Sequence, residues 1–197
     1  LPMSYTESIG SSNYNALQVS SQMRTHSGIT TTLAYTWSKT LVTGCDGLFA
    51  DCDIQDPYNL AGDRGPAAHD LTHIFSSSFV VPLPFGAGRR FDASNKVVNQ
   101  IIGNWQFNGI VSLDSGRRYD VHTDTVISNT NNVDGTERVN VVGDPYAGGT
   151  KIHPLNKNAF EDPDSFTFGT MGRNSLRADW NKNLDLSIFR SFSITES

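Results

Sequence analysis

The sequence predicts an all-β fold of antiparallel, up-and-down strands, and three observations predict it. Ile29 to Ser38 alternates strictly, with Ile29, Thr31, Leu33, Tyr35 and Trp37 at odd positions and Thr30, Thr32, Ala34, Thr36 and Ser38 at even ones. Successive side chains of a strand point to opposite faces, so one face here is apolar and aromatic and the other small and hydroxylated. Trp105 to Asp114 repeats the pattern, with Trp105, Phe107, Gly109, Val111 and Leu113 against Gln106, Asn108, Ile110, Ser112 and Asp114. Glycine occurs 17 times, and Asn, Ser, Thr and Asp crowd the segments between apolar runs, which is a turn-rich β composition.

The hydroxylated face of Ile29–Ser38 carries no charge, whereas a half-buried soluble strand usually puts charge on its wet side. One face for lipid, one for a polar lumen and aromatics near the membrane surface describe a transmembrane barrel strand. No run of about eighteen apolar residues exists, so no transmembrane helix is expected, and a barrel needs none. The net charge of −5 arises from 20 acidic and 15 basic residues mixed along the chain, with no basic patch for nucleic acid. The chain opens Leu-Pro-Met-Ser without a basic or apolar leader region, so a signal, if there is one, is expected upstream.

In order, residues 1 to 14 read as loop. Asn15 to Arg24 reads as a strand with Leu17, Val19 and Met23 on one face, and Thr25-His26-Ser27-Gly28 turns it into the strand at 29–38. A long loop, 39–69, follows. Asp70 to Val81 reads as a strand with Leu71, His73, Phe75, Phe79 and Val81 facing one way, stopped by Pro82 and Pro84. Pro84 to Arg90 is a turn, and Asn95 to Gly103 reads as one or two helical turns capped by Asn95. After the strand at 105–114 comes a second long loop, 115–182, with short strands expected at Arg118–Thr123 and Arg138–Val142. Asn183 to Phe192 is the last strand. Alternating directions put connections 25–28 and 82–104 on one side and the long loops on the other, as in outer-membrane barrels. Five strands are too few to close one, since bacterial versions need at least about eight. The predicted fold is therefore an incomplete outer-membrane-type β-barrel, a single segment over 1–197 with long loops on one side.

No catalytic, metal or cofactor constellation emerges. His69 and His73 share a strand face but lie about 13 Å apart at i, i+4, too far for one ion. No Gly-x-Ser-x-Gly elbow occurs, and Ser115 in a turn is a poor substitute. Asp114, Asp120, Asp144, Glu161 and Asp185 offer carboxylates without a defined separation. Gly86-Ala87-Gly88-Arg89-Arg90 lacks the Lys-Ser/Thr ending of a phosphate loop. Asp124 to Asp134 lacks the spacing of a calcium hand. The loop aromatics Tyr58, Tyr119 and Tyr146 are the candidate ligand contacts, because such rings stack on sugars or partner surfaces. Cys45 and Cys52, close together in a Gly/Asp-rich loop, are a disulfide candidate in an exported protein and two free thiols or half a metal site in the cytosol.

Seven ordered stretches carry a family resemblance: Ser12-Asn13-Tyr14-Asn15-Ala16-Leu17-Gln18, Ala34-Tyr35-Thr36-Trp37-Ser38-Lys39, Asp56-Pro57-Tyr58-Asn59-Leu60, Leu83-Pro84-Phe85-Gly86-Ala87-Gly88, Gly103-Asn104-Trp105-Gln106-Phe107-Asn108-Gly109, Gly172-Arg173-Asn174-Ser175-Leu176-Arg177 and Asn183-Leu184-Asp185-Leu186-Ser187. The chain resembles TonB-dependent outer-membrane receptors, most closely the subgroup with a carboxypeptidase-regulatory-like N-terminal domain. The resemblance implies a late part of a barrel of about 22 strands with an N-terminal plug, importing metal chelates or glycans across the outer membrane of a Gram-negative-type bacterium. The plug, the energy-coupling segment and the remaining strands are not in this sequence. Expected partners are outer-membrane lipid, the missing strands of the parent and a small-molecule or glycan ligand, with no nucleic acid, no cofactor and no catalysis. A different class stays open: a stand-alone soluble β protein acting as a hydrolase or carbohydrate-binding module through its long loops. An isolated piece would expose two strand edges and an apolar face, so self-association through the edges or the 29–37 and 105–113 faces is expected.

Overall fold

A computed structural model describes residues 8–44, 54–93, 95–123 and 137–192. Its elements, in chain order, are β1 (Ser11–Arg24), β2 (Thr30–Thr43), β3 (Gly65–Pro66), β4 (His73–Pro82), α1 (Lys96–Ile102), β5 (Trp105–Asp114), β6 (Arg118–Tyr119), β7 (Asn140–Val141), β8 (Phe160–Glu161), β9 (Leu176–Arg177) and β10 (Asn181–Arg190). The fold class is the expected one: strands dominate, and the main sheet is antiparallel with the order β1-β2-β4-β5-β10. Among the described residues the sheet is open, with β1 and β10 as its edges. Contacts divide the chain into two units, a sheet unit of Ala16–Trp37, Thr72–Ser115 and Trp180–Ser197, and a loop unit of Leu1–Asn15, Ser38–Leu71 and Gly116–Asp179.

In the sheet unit, pairing sets Thr31, Phe79, Gly109 and Leu186 in one row across four strands. Tyr35, Phe75, Leu113 and Lys182 form another. Gly109 has a packing reason: a Cβ there would run into the Phe79 ring and crowd Leu186. A bare backbone lets the aromatic lie across the β4–β5 ladder, the usual way a strand glycine is covered. The hairpin turn is closed by Gly28 N–H to Thr25 O at 3.0 Å and Thr25 N–H to Ile29 O at 2.9 Å, with Gly28 at a φ of +85° that glycine adopts without a Cβ penalty. Asn95 caps α1 by accepting from Val97 N–H at 2.9 Å.

Several boundaries differ from the alternation pattern. β1 starts at Ser11 rather than Asn15, and β2 runs on to Thr43 rather than stopping at Ser38. The β2 extension, Lys39 to Thr43, has weak apolar contrast, yet Leu41 and Val42 pair with Pro66 and Gly65 of β3. β4 starts at His73, not Asp70, because Asp70 sits in a turn whose N–H donates to Ala67 O at 2.9 Å. Pro82 remains in β4 opposite Gln106, and Leu83 N–H resumes the ladder to Trp105 O at 2.8 Å. β10 runs from Asn181 to Arg190 rather than 183–192.

The loop unit has its own apolar core of Val139, Met171 and Leu176, against which Tyr119, Val121, Leu155 and Phe160 pack. Two small ribbons frame it. β6 pairs with β9 through Arg118–Arg177 and Tyr119–Leu176, and β7 with β8 through Asn140–Glu161 and Val141–Phe160. Gly116 and Gly169 are close-approach positions, since a Cβ would collide with the Ala178 and Asp179 carbonyls at the first and the Arg138 carbonyl at the second.

Candidate functional site

The sheet has two chemically opposed faces. Residues facing one another across a ladder share a side of the sheet, so the register sorts them. One side gathers Leu33, Tyr35 and Trp37 of β2, Phe75, Phe79 and Val81 of β4, Phe107, Val111 and Leu113 of β5, and Leu184, Leu186 and Ile188 of β10, interrupted by Thr31, Ser77 and Lys182. The other gathers Thr30, Thr32 and Thr36, Ser76 and Ser78, Gln106, Asn108, Ser112 and Asp114, and Asn181, Asn183, Asp185 and Ser187, interrupted by Ile74, Val80, Ile110 and Phe189. Amide groups hydrogen-bond along this polar side, Asn181 to Asp114 at 3.0 Å and Asn183 to Asp185 at 2.7 Å.

The apolar side is uncovered. Leu184, Leu186 and Ile188 are 60%, 54% and 61% exposed, and every fully buried apolar residue described lies in the loop unit. A largely apolar sheet face of this width is not stable against water. Hydrocarbon solves the problem, because the ladder already satisfies the backbone of the inner strands. Both ends of the apolar side are aromatic. At one end the Tyr35 hydroxyl meets His73 Nδ1 at 2.8 Å, and the His73 ring stacks on Trp180 with centroids 5.8 Å apart. At the other, the Arg190 guanidinium lies 5.7 Å from the Trp105 ring and 4.2 Å from the Phe192 ring. Apolar bands bounded by such aromatic rows mark the two membrane surfaces of a barrel.

The loop unit is held by buried charge. Asp63, 1% exposed, accepts from Gln55 N–H at 2.9 Å and pairs with Arg138. Asp70, also 1% exposed, accepts from Thr40 N–H at 2.8 Å and faces Arg177 at 3.3 Å and Arg118 at 3.5 Å. Burial lowers the Arg177 pKa, Arg118 across the ribbon adds to the effect, and Asp70 opposes it. Burial works to raise the Asp120 carboxyl, but hydrogen bonds from His122 and Asn174 N–H and the charges of His122 and Arg138 outweigh it, so its pKa is lowered. Arg173 donates to Gly44 O, and the Asn174 amide to Pro66 O at 3.0 Å.

Beside this network lies an open cleft of about 470 Å³ lined by Tyr119, Tyr146, Thr150, Lys151, Arg177 and Asp179, among others. Two of the three loop tyrosines picked from sequence therefore share one cleft. Tyr58 lies elsewhere, 97% exposed on a turn where its N–H donates to Asp56 at 2.9 Å. The Tyr146 hydroxyl accepts from Arg177 N–H at 2.8 Å and is 3.3 Å from Arg177 O, which fixes its ring. Burial raises the Tyr119 pKa, with Tyr146 and Asp179 contributing, so this phenol is neutral at physiological pH. The Arg177 head turns to Asp70 and Gly116 O at 3.1 Å. Lys151 and Asp179 then bring one formal charge of each sign, and the cleft suits a small polar molecule that stacks on a ring and exchanges hydrogen bonds.

Among the described residues no group of three or more His, Cys, Asp or Glu side chains is arranged to hold a metal ion. Ser115 is buried, its hydroxyl accepting from His73 N–H at 3.1 Å. Cys45, Cys52 and all of 124–134 lie outside the described residues. Sequence reasoning missed Lys151, Asp179 and the Asp63–Arg138 and Asp70–Arg118–Arg177 groups, whose partners are far apart along the chain and leave no local spacing to read.

An open antiparallel sheet with a lipid-type face, a polar face and aromatic borders defines the membrane-spanning β class. Consistent with it, the model of the Outer membrane beta barrel domain family matches residues 2–197. The chain belongs to that family, which places it at the outer membrane in contact with lipid. Neither a curated protein nor a solved structure matches it.

Proposed function

We propose that the chain is a single late-barrel segment of a TonB-dependent receptor in the outer membrane of a Gram-negative-type bacterium, serving ligand uptake in its parent and carrying out no catalysis. The observation that supports this reading best is the two-faced sheet, with both long excursions, 44–72 and 115–180, leaving and re-entering at the same ends of the strands. The ordered sequence motifs supply the receptor subgroup. The cleft at Tyr119 and Tyr146 is the proposed ligand contact, for a small molecule or glycan, and exposed Tyr58 is a further candidate contact from a separate turn.

The test is nutrient uptake in the native cell. Ferric chelates and oligosaccharides are offered one at a time as the scarce nutrient to cells lacking the gene. The expected result is loss of uptake of one nutrient, sensitivity of that uptake to a protonophore, and a drop of about tenfold with Tyr146→Ala at unchanged membrane level, equivalent to ~1.4 kcal/mol of lost binding. Energy-independent uptake, or no nutrient-specific defect, would overturn the receptor reading. A folded monomer in detergent-free buffer would instead favour the stand-alone soluble β protein.

A further inference from the structure

The connection between β4 and β5 is a folded piece rather than a loose turn. Phe85 and Phe91 bridge, with Gly86 N–H donating to Phe91 O at 3.0 Å and Phe91 N–H to Pro84 O at 3.0 Å. The Asn99 side chain of α1 accepts from Ala93 N–H at 2.8 Å and donates to Ala93 O at 2.7 Å, which pins the helix to that piece. Gly86 and Gly103 lie back to back, since a Cβ on Gly86 would come within 2.6 Å of Gly103 Cα. These contacts use one flank of α1. Val97, Val98 and Ile101 share another flank at helical spacing and are 63%, 40% and 60% exposed, and no residue of α1 is buried.

Such a helix does not persist in water on its own. α1 has seven residues, and isolated helices shorter than about 12–15 residues are marginal. Val97, Val98, Ile101 and Ile102 are β-branched and lose side-chain freedom in a helix, so propensity does not hold it either. Its stability needs a cover for the apolar flank.

The position of α1 says what that cover is. Trp105 lies at the border of the apolar side of the sheet, and its indole N–H donates to Ile101 O at 3.1 Å. That carbonyl is one of those a helix C-terminus leaves without an intrahelical partner, so the helix end is fastened to the aromatic border and not to the polar side. Trp105 sits opposite Arg190 in the ladder, and the Arg190 guanidinium lies against the rings of Trp105 and Phe192. The connection itself is basic, with Arg89, Arg90 and Lys96 against Asp92 alone, in a chain whose net charge is −5. An apolar helix flank continuous with a lipid-type face and flanked by cations fits a membrane surface with anionic headgroups.

We propose that α1 is an interfacial helix that docks on phospholipid. Val97, Val98 and Ile101 enter the headgroup–acyl boundary, and Arg89, Arg90, Lys96 and Arg190 meet headgroup phosphates. Short connections of outer-membrane barrels are periplasmic, so the lipid is anionic phospholipid of the inner leaflet. This rests on the membrane reading above and adds to the strands a lipid contact made by a connection.

The experiment places a photo-crosslinking benzophenone residue at Ile101, at Gln100 on the opposite flank of α1, or at Leu186 in β10, in the protein in its native outer membrane, and identifies each adduct by mass spectrometry. The expected result is phospholipid attached at Leu186 and Ile101, with a several-fold loss at Gln100. An adduct from Ile101 to a protein or to lipopolysaccharide, no adduct there, or equal phospholipid yield from Ile101 and Gln100 overturns the inference, and lipid at Leu186 then leaves the membrane reading intact. Failure of Leu186 to attach to any lipid overturns the membrane reading, and this inference with it. In vesicles of phosphatidylethanolamine and phosphatidylglycerol, the combined Arg89→Gln, Arg90→Gln and Lys96→Gln variant should show a several-fold smaller share of phosphatidylglycerol among the Ile101 adducts. An unchanged share overturns the headgroup contact.

Discussion

An arginine at Leu186 measures whether the apolar face meets lipid. Leu186 sits opposite Gly109, four residues from both Trp105 and Leu113 along β5. At about 3.4 Å per residue the eight-residue step from Trp105 to Leu113 covers ~27 Å along the strand. A strand tilt of about 40° reduces this to ~20 Å of membrane depth. Leu186 is then ~10 Å from either aromatic row, close to the midplane, where an arginine on the lipid side costs about 2–4 kcal/mol. Its neighbour Ser187 lies opposite Asn108 at nearly the same depth on the polar side, and Ser187→Arg should stay within ~0.5 kcal/mol. The two variants add the same charge one residue apart, so the difference reports the face alone. The assay is urea titration of the outer-membrane protein refolded into lipid vesicles, read by gel mobility without boiling. Leu186→Arg should lower the folded-to-unfolded ratio about 30-fold to 1,000-fold relative to Ser187→Arg. Equal losses, or a larger loss at Ser187, would refute the assignment of the two faces.

Three further outcomes concern the loop unit. Asp70→Asn removes the negative charge between Arg118 and Arg177, whose side chains are only 22% exposed; breaking a buried pair costs about 3–5 kcal/mol, and partial solvation of the guanidiniums reduces this to ~2, seen as faster hydrogen exchange at Ala178 N–H, with unchanged exchange refuting the role. Asp120 has a folded pKa below its usual value, so its stabilisation is present above the ordinary carboxylate pKa and is lost as pH falls through the lowered one. Acid titration should therefore weaken the unit, Asp120→Asn should remove that part of the pH dependence, and equal stability of the variant at neutral pH would count against it. Gly116→Ala drives a Cβ into the Ala178 and Asp179 carbonyls and should cost about 1–3 kcal/mol or more, measured as protease cleavage between residues 116 and 179; full protease resistance would contradict the close approach.

Sequence showed the sheet far better than the loop unit, and the reason is physical. A membrane strand contrasts two solvents residue by residue, so Leu33, Tyr35 and Trp37 against Thr32, Ala34 and Thr36 is readable from the chain alone. The signal fades where that contrast ends. Ser38 to Thr43 continues β2 because Leu41 and Val42 find β3 and Thr40 N–H finds Asp70, and none of these partners lies within twenty residues. Tyr119 and Tyr146 were visible as loop aromatics, but their meeting depends on Arg177 accepting and donating through its backbone to Tyr146, a contact no spacing rule predicts.

The same contrast explains why the two units are built so differently. In the sheet unit the ladder saturates the backbone of the inner strands and the apolar side chains are left for the surroundings, so stability is drawn from lipid and from the neighbouring strands. The loop unit has no such solvent. Its short ribbons bury only a small core around Val139, Met171 and Leu176, and its long irregular backbone must find donors and acceptors one by one. Asp63, Asp70, Gln55, Arg173 and Asn174 supply them, each tying a backbone group to another segment. Charged and amide anchors of this kind satisfy irregular backbone where repeated ladders cannot, and they leave the cleft at Tyr119 and Tyr146 on a fixed frame rather than on a free loop.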